Sequence, residues 1–398
     1  MKKARLRKGN GRIYIIVFIA VILSLPLFLV TSCGTSTPAL SQETRDGLEA
    51  AVDEALSASD APGAIVGVWT PQGDWVVAKG EANIETGEPM RTTDIFRIGS
   101  ITKTFVATVV LTMVDDGLLS LDDRLSEYYP DFPRADEITV RMLLNHTSGI
   151  FSWDEDEDIF AELYEDPGAG WSIEGMIQLS AEHPFYFEPG TGQHYSNINY
   201  FLLGMIIEEV GGRTLEQEID ERIAVPLGLD NTFLPDSPDY EGQTIHGYEE
   251  GDGELVDVTG SEIEEVISYD LAWAAGGMVT TLDDLKVWAK ALATGELLSE
   301  AMHEEQMDMV DTTPEGSPVE SAYGLGVGLS DVWVGHSGAV VGSMCNMGYY
   351  PEQDATIITY FNKLSTSSLE ANEADLKDYV TCFMTLSRTL YPETYPGM

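Results

Sequence analysis

An α+β fold is predicted, an antiparallel sheet flanked by helices with a helical lobe inserted into it. Segments with strand character stand near both ends of the 398-residue chain, at 64–70 and 75–79 and again between 323 and 362. From about residue 118 to 310 the pattern is mostly helical, interrupted by proline and glycine, and it lacks the strand–helix alternation of a parallel sheet. Strands so far apart in sequence complete one sheet only if the middle of the chain loops out as a lobe. The length fits one large domain or two interleaved lobes, and no internal repeat is evident.

At the N-terminus, Lys2, Lys3, Arg5, Arg7, Lys8 and Arg12 precede an apolar run at 13–30 that closes on Val30-Thr31-Ser32-Cys33-Gly34. A basic segment, an apolar core and small residues before a cysteine make residues 1–33 a bacterial lipoprotein signal, cleaved before Cys33 and lipidated there. An uncleaved anchor competes with this reading because the run approaches spanning length; Ser24, Pro26 and the small-small-Cys ending favour the lipoprotein. Both readings put the remainder outside the cytoplasm, held to the membrane. Ser, Thr and Pro mark 34–42 as a flexible tether, leaving 43–398 as the folded domain.

Within the domain, 44–57 reads as a helix, followed by the two strands around the turn Pro71-Gln72-Gly73. The next helix is the strongest. From 101 to 114 the chain carries Ile101, Phe105, Val106, Val109, Val110, Met113 and Val114, no proline and no glycine, and it then meets Gly117, suited to a left-handed helix end. Ser100 stands at its first turn and Lys103 one turn further, on the same face. A serine hydroxyl is a poor nucleophile unless a proton acceptor lies within hydrogen-bond reach. Burial favours the neutral amine that such an acceptor must be, and the helix N-terminus offers N–H groups where an oxyanion would form. As a two-residue pattern Ser-x-x-Lys is weak by itself.

Further along, the glycine-rich loop Pro189-Gly190-Thr191-Gly192-Gln193-His194-Tyr195-Ser196-Asn197 runs into an apolar helix at 200–210. Strand character returns at 323–329, 332–334, 340–350 and 356–362, with His336-Ser337-Gly338 leading into the third of these, and a helix at 373–389 closes the chain. Tyr195 and Asn197 suit an ordinary turn as well as a site, and a lone His336 is more often structural than catalytic.

Taken together, Ser100-Ile101-Thr102-Lys103, Tyr195-Ser196-Asn197 and His336-Ser337-Gly338 resemble the serine β-lactamase and penicillin-binding family, above all its class C β-lactamase and Streptomyces-type D-Ala-D-Ala carboxypeptidase branch. Leu118-Leu119-Ser120-Leu121-Asp122-Asp123, Arg141-Met142-Leu143-Leu144-Asn145-His146-Thr147-Ser148-Gly149 and Ala275-Gly276-Gly277-Met278-Val279-Thr280-Thr281-Leu282-Asp283-Asp284-Leu285 extend the likeness over residues 42–390. The resemblance implies a β-lactamase/transpeptidase-like fold with Ser100 as the acylated nucleophile and Lys103 as its proton acceptor. Tyr195 would shuttle protons, Asn197 would bind a substrate carbonyl, and His336, Ser337, Gly338 and Ala339 would line the strand beside the scissile bond. It also implies an oxyanion hole from the N–H groups of Ser100 and Ala339, and treats His146 as scaffold. The branch grips a terminal carboxylate with an arginine shortly before its third motif; here no arginine lies between 223 and 387, and 321–335 has no lysine. Neutral esters and amides are therefore expected as better substrates than free-carboxylate peptides or β-lactams.

A Ser-His-Asp hydrolase fits poorly because no Gly-x-Ser-x-Gly elbow is present, and the six scattered histidines, without His-Glu-x-x-His, argue against a metal centre. The motifs point to a serine enzyme without a cofactor.

Six of the 21 basic residues precede Cys33 and none of the 67 acidic ones does, so the remainder carries 15 against 67, a formal −52. Nucleic acid and anionic lipid are excluded as partners of such a surface. Haloadaptation or a wall rich in divalent cations would account for it. Asp154-Glu155-Asp156-Glu157-Asp158, its densest patch, lacks the glycine and spacing of a calcium loop and reads as solvated. Once Cys33 is lipidated, Cys345 and Cys382 remain, either bonded in an oxidising compartment or buried as small apolar residues.

The function that follows is an extracytoplasmic serine hydrolase acting on a small-molecule or peptide substrate: peptide, amide, β-lactam or ester. A carboxylesterase of the same fold and a catalytically silent wall-peptide-binding protein are the alternatives.

Overall fold

Helix α1 spans Gln42–Ser59, started by Ser41, whose hydroxyl accepts the Thr44 N–H at 3.0 Å, and ended where Asp60 turns left-handed. The computed structural model describes residues 39–395 apart from 236, 238–239, 252, 314–319 and 366–368. Strands β1 (Gly63–Thr70) and β2 (Gly73–Asn83) form the expected hairpin, and β3 is the short Glu88–Pro89. Helix α2 (Thr102–Asp115) follows a tight turn at Gly99–Ile101, α3 is Asn197–Gly211 and α4 is Leu282–Thr294. The chain returns to the sheet with β4 (Val310–Asp311), β5 (Ser321–Tyr323), β6 (Gly328–Ser330), β7 (Trp333–Val340), β8 (Ser343–Tyr350) and β9 (Ala355–Phe361), and ends in α5 (Leu369–Leu390).

These nine strands make one antiparallel sheet in the order β3-β2-β1-β9-β8-β7-β6-β5-β4. The first strands of the chain pair with the last, Ile65 opposite Tyr360 and Val68 opposite Ile357, so both ends of the sequence build the sheet and the middle packs over it. Successive side chains point to opposite faces. Val66, Val68, Ile357 and Phe361 pack with Leu48 and Val52 of α1 and Tyr379 and Leu386 of α5. Ile65, Ile358 and Tyr360 face the lobe, where they join Phe105 of α2 and Trp288 of α4, whose rings stack 4.1 Å apart.

One expectation is corrected. The single strand expected at 323–329 is instead a hairpin, in which β5 and β6 pair antiparallel with Tyr323 opposite Gly328, the chain turning back over 324–327 where the Gly324 N–H donates to Val327 O at 2.8 Å and the backbone at Gly326 packs against α2. A Cβ on Gly326 would lie 2.1 Å from Ala107 Cβ, and its φ of +74° also requires glycine. Of the two readings left open for Cys345 and Cys382, the structure has the second: both are free and buried. Cys345 on β8 faces the lobe, whereas Cys382 on α5 packs against α1 on the other face, so the sheet stands between them. Burial pushes the Cys382 thiol up to about 12 and the Cys345 thiol higher still.

Among the described residues no helix is long and apolar enough to cross a membrane. The apolar run at 13–30 and Cys33 lie outside the described residues.

Candidate active site

Ser100 sits in the tight turn that leads into α2, and two glycines make that position possible. Gly99 has φ +51°, and a Cβ there would lie 2.7 Å from Ala339 N. Across the same contact, a Cβ on Gly338 would lie 1.8 Å from Ile98 O and 3.0 Å from Ser100 N. β7 and the nucleophile turn thus meet backbone to backbone, which sets the N–H groups of Ser100 and Ala339 on adjoining segments beside the hydroxyl. Gly338→Ala should force this contact apart, costing about 1–3 kcal/mol of stability by overpacking and at least about tenfold in kcat/KM by misplacing the donors. Thermal melts and steady-state rates on one preparation check both effects.

One helical turn brings Lys103 Nζ to 3.0 Å from Ser100 Oγ. The amine donates to Ala275 O at 2.6 Å and lies 4.9 and 5.5 Å from the ring centres of Tyr195 and Tyr200. Lys103 is fully buried, and none of the ion pairs among the described residues involves it. Desolvation lowers its pKa to about 7, with the charge of Asp154 opposing the shift. A lysine in that state is a proton acceptor at neutral pH.

The Tyr195 hydroxyl faces Ser100 without closing an aligned hydrogen bond. Burial holds its phenol well above the ordinary value, and Tyr323 adds to the shift, so it stays protonated. Its position depends on His146, whose ring centre lies 4.3 Å away and whose Nδ1 accepts the Ser196 N–H at 3.2 Å. His146 is buried in a left-handed conformation, φ +59°, and desolvation followed by the charge of Lys103 keeps it neutral. It touches Tyr195 and supports the loop through Ser196.

Asn197 opens α3. Its N–H donates to Ser152 Oγ at 3.0 Å and its Nδ2 to Asp154 at 2.9 Å. His336 lies on the strand edge, its Nε2 2.9 Å from Tyr323 Oη. Desolvation pushes its imidazole down to about 4, so it holds no charge for an anionic substrate at neutral pH. Ser337 and Ala339 are exposed on β7 and Gly338 is buried. The structure therefore brings together Ser100, Lys103, Tyr195, Asn197 and the 336–339 strand; Cys33 lies outside the described residues.

Sequence reasoning missed three contributors. Ala275 O anchors the lysine and Tyr323 packs behind Tyr195, at ring centres 6.2 Å apart. The third is Asp154, read as part of a solvated acidic loop, which lines a pocket of about 150 Å³ together with Ser100 and Asn197. A serine two residues before it, Ser152, was the available signal, too common to identify a site.

Residues 48–380 match the profile of the Beta-lactamase family. The chain belongs to that family. The beta-lactamase-family fold recurs in the crystal structure of a D-stereospecific amidohydrolase from Streptomyces sp., 32% identical, with a TM-score of 0.68 over 81% of this chain and 94% of that one. It recurs again in the D-amino acid amidase from Ochrobactrum anthropi SV3 complexed with L-phenylalanine amide, 25% identical, with a TM-score of 0.73 over 87% of this chain and 99% of that one. Esterase EstB of Burkholderia gladioli is 32% identical over 206 residues, 48% of this chain and 52% of the esterase. Across several curated relatives, penicillin-binding proteins included, the chain spans 52% to 66% of their length. Within the beta-lactamase family it is a serine hydrolase.

Proposed function

We propose that the chain is an extracytoplasmic, lipid-anchored enzyme that is acylated at Ser100 and hydrolyses amides and esters that lack a free carboxylate. The observation that carries this reading is the buried, unpaired amine of Lys103 within 3.0 Å of Ser100 Oγ, with its pKa near 7. Neutral Lys103 takes the hydroxyl proton as Oγ bonds to the substrate carbonyl carbon, and the N–H groups of Ser100 and Ala339 receive the oxyanion. When the C–N or C–O bond breaks, the proton passes from Lys103 through the Tyr195 hydroxyl to the departing amine or alcohol. Water then adds to the acyl carbon, gives a proton to the same relay, and releases the acid as Ser100 recovers its own proton. Asn197, His336, Ser337 and Gly338 hold the substrate along the β7 edge.

Substrates without a free carboxylate are favoured because no arginine or lysine lines either of the two cavities that adjoin Ser100 and Tyr195 among the described residues. With His336 uncharged, a terminal carboxylate finds no cationic partner except Lys103 itself. The relatives described as an amidohydrolase, an amidase and an esterase support this choice.

A panel of p-nitrophenyl esters, amino acid amides, nitrocefin and a D-Ala-D-Ala peptide tests it. Esters or amides should exceed the peptide and the β-lactam in kcat/KM by about tenfold or more, the worth of a lost charge-assisted contact. Efficient release of D-alanine from the free-carboxylate peptide would overturn it. Failure of every substrate and of a fluorophosphonate label would point instead to a silent binding protein. Attachment to the membrane rests on the Cys33 motif: Cys33→Ala should abolish processing and membrane retention together, and a mutant still cleaved at the same bond and still sedimenting with membranes refutes the lipid anchor.

A further inference from the structure

The pocket beside Ser100 is walled by Trp153, Phe160, Phe201, Ile267 and Leu271, and among the described residues Asp154 is the one charged side chain that lines it. Glu155 lies 2.8 Å from His194 and Asp156 lies 3.3 Å from His183, whereas Asp154 has no cation within ion-pair distance among the described residues. Two neutral donors hold it in place instead: the Ser152 hydroxyl on Oδ1, and Asn197 Nδ2 at 2.9 Å on Oδ2. Each carboxylate oxygen accepts a second hydrogen bond. The group is thus oriented and still has acceptor capacity. The carboxylate is partly buried at the pocket wall and open to a cationic group brought in by the substrate.

We infer that Asp154 binds the free ammonium of the substrate's acyl half, so that the preferred substrate is the amide or ester of an apolar amino acid with an unblocked amino group. The inference rests on acylation at Ser100. In such a substrate the amino nitrogen is two bonds from the attacked carbonyl carbon, so a carboxylate in the same pocket as Ser100 is within reach of it. Phe160, Phe201, Ile267 and Leu271 accommodate the apolar side chain. The leaving group departs toward the second cavity, which is lined by Tyr195, Tyr323, His336 and Ser337 and has no charged group to hold a carboxylate. The formal charge of −52 carried by the chain beyond its basic N-terminal segment also steers cationic substrates toward the domain and anionic ones away. The enzyme's polarity is then that of an amidase or aminopeptidase, cutting after a free N-terminal residue rather than before a free C-terminal one.

The test compares phenylalanine amide of each hand with its N-acetyl derivative, and with p-nitrophenyl butyrate, in the wild type, Asp154→Asn and Asp154→Glu. In the wild type the free amine should exceed the acetylated compound in kcat/KM by about 10- to 100-fold for at least one enantiomer. Asp154→Asn should reduce that ratio by about tenfold or more, while Asp154→Glu retains part of it. The ratio corrects for any general effect through Lys103, which feels the Asp154 charge. Equal turnover of free and acetylated amides by the wild type overturns the inference even if a variant fails to fold, and an unchanged ratio in Asp154→Asn does so as well. Loss of butyrate hydrolysis and of fluorophosphonate labelling in the wild type is a different result, which removes the acyl-enzyme reading on which the inference stands.

Discussion

Ser100→Ala should lower kcat by about 10⁴-fold or more on every substrate turned over, while the protein remains folded. The substitution removes one oxygen from a half-buried turn. That oxygen meets Lys103 Nζ at 3.0 Å and faces Tyr195, and the lysine keeps its 2.6 Å bond to Ala275 O. Packing is little disturbed because α2 is held by Phe105, Val109 and Val110, each fully buried, and by the stacking of Phe105 on Trp288. The chemistry is lost because among the described residues no other hydroxyl is hydrogen-bonded to the Lys103 amine. Intact-mass measurement after fluorophosphonate treatment should show one adduct on the wild type and none on the mutant, with circular dichroism spectra superimposing. An adduct that persists in the mutant would disprove the assignment.

Lys103 should give the pH–rate profile its acid limb, at about pH 7, and Lys103→Ala should cost about 10³-fold and abolish that limb. The sign follows from burial. Desolvation lowers the amine from 10.5 to about 7, so the neutral, proton-accepting form is present above pH 7 and is lost below it. kcat/KM should therefore rise tenfold per pH unit up to about 7 and then level off. A flat profile from pH 5 to 8 would exclude Lys103 as the base. The same shift links to stability. Between pH 7 and 10.5 the unfolded chain binds more protons at this lysine than the folded one, so the stability it withholds at neutral pH is regained as pH rises through that window. Urea melts of wild type and Lys103→Met at pH 7 and 9.5 should converge at the higher pH.

Much of the site was legible because its chemistry is local. Ser100 and Lys103 are three residues apart on an apolar helix, and helical geometry alone puts them on one face; the 3.0 Å contact is that spacing realised. Tyr195, Asn197 and the 336–339 strand carried no such local signal and were legible only as a pattern shared with a family. The hairpin β1–β2 and the pairing of early with late strands were readable from two widely separated sets of strand-like residues.

The rest needed the tertiary structure, for reasons that differ by residue. Whether Cys345 can meet Cys382 depends on which face of β8 one points to and on which side of the sheet α5 packs, and strand alternation leaves the choice of face to the surrounding core. That 323–329 turns back on itself rather than running on as one strand rests on Gly326, whose backbone packs against α2 at φ +74°, a close approach that strand composition does not express. Asp154 looks like any acidic loop residue until Ser152 and Asn197, 45 positions apart, hold it at the pocket wall. The amine of Lys103 is an acceptor because the lobe closes over it and removes water, a property of packing that no residue spacing expresses. The sequence by itself thus determined the nucleophile, its partner and the class of fold, all of which rest on short-range geometry or strand composition. Only the folded lobe decided the charge state of that partner and the lone carboxylate facing it, since desolvation and pocket chemistry arise from residues brought together across the whole chain.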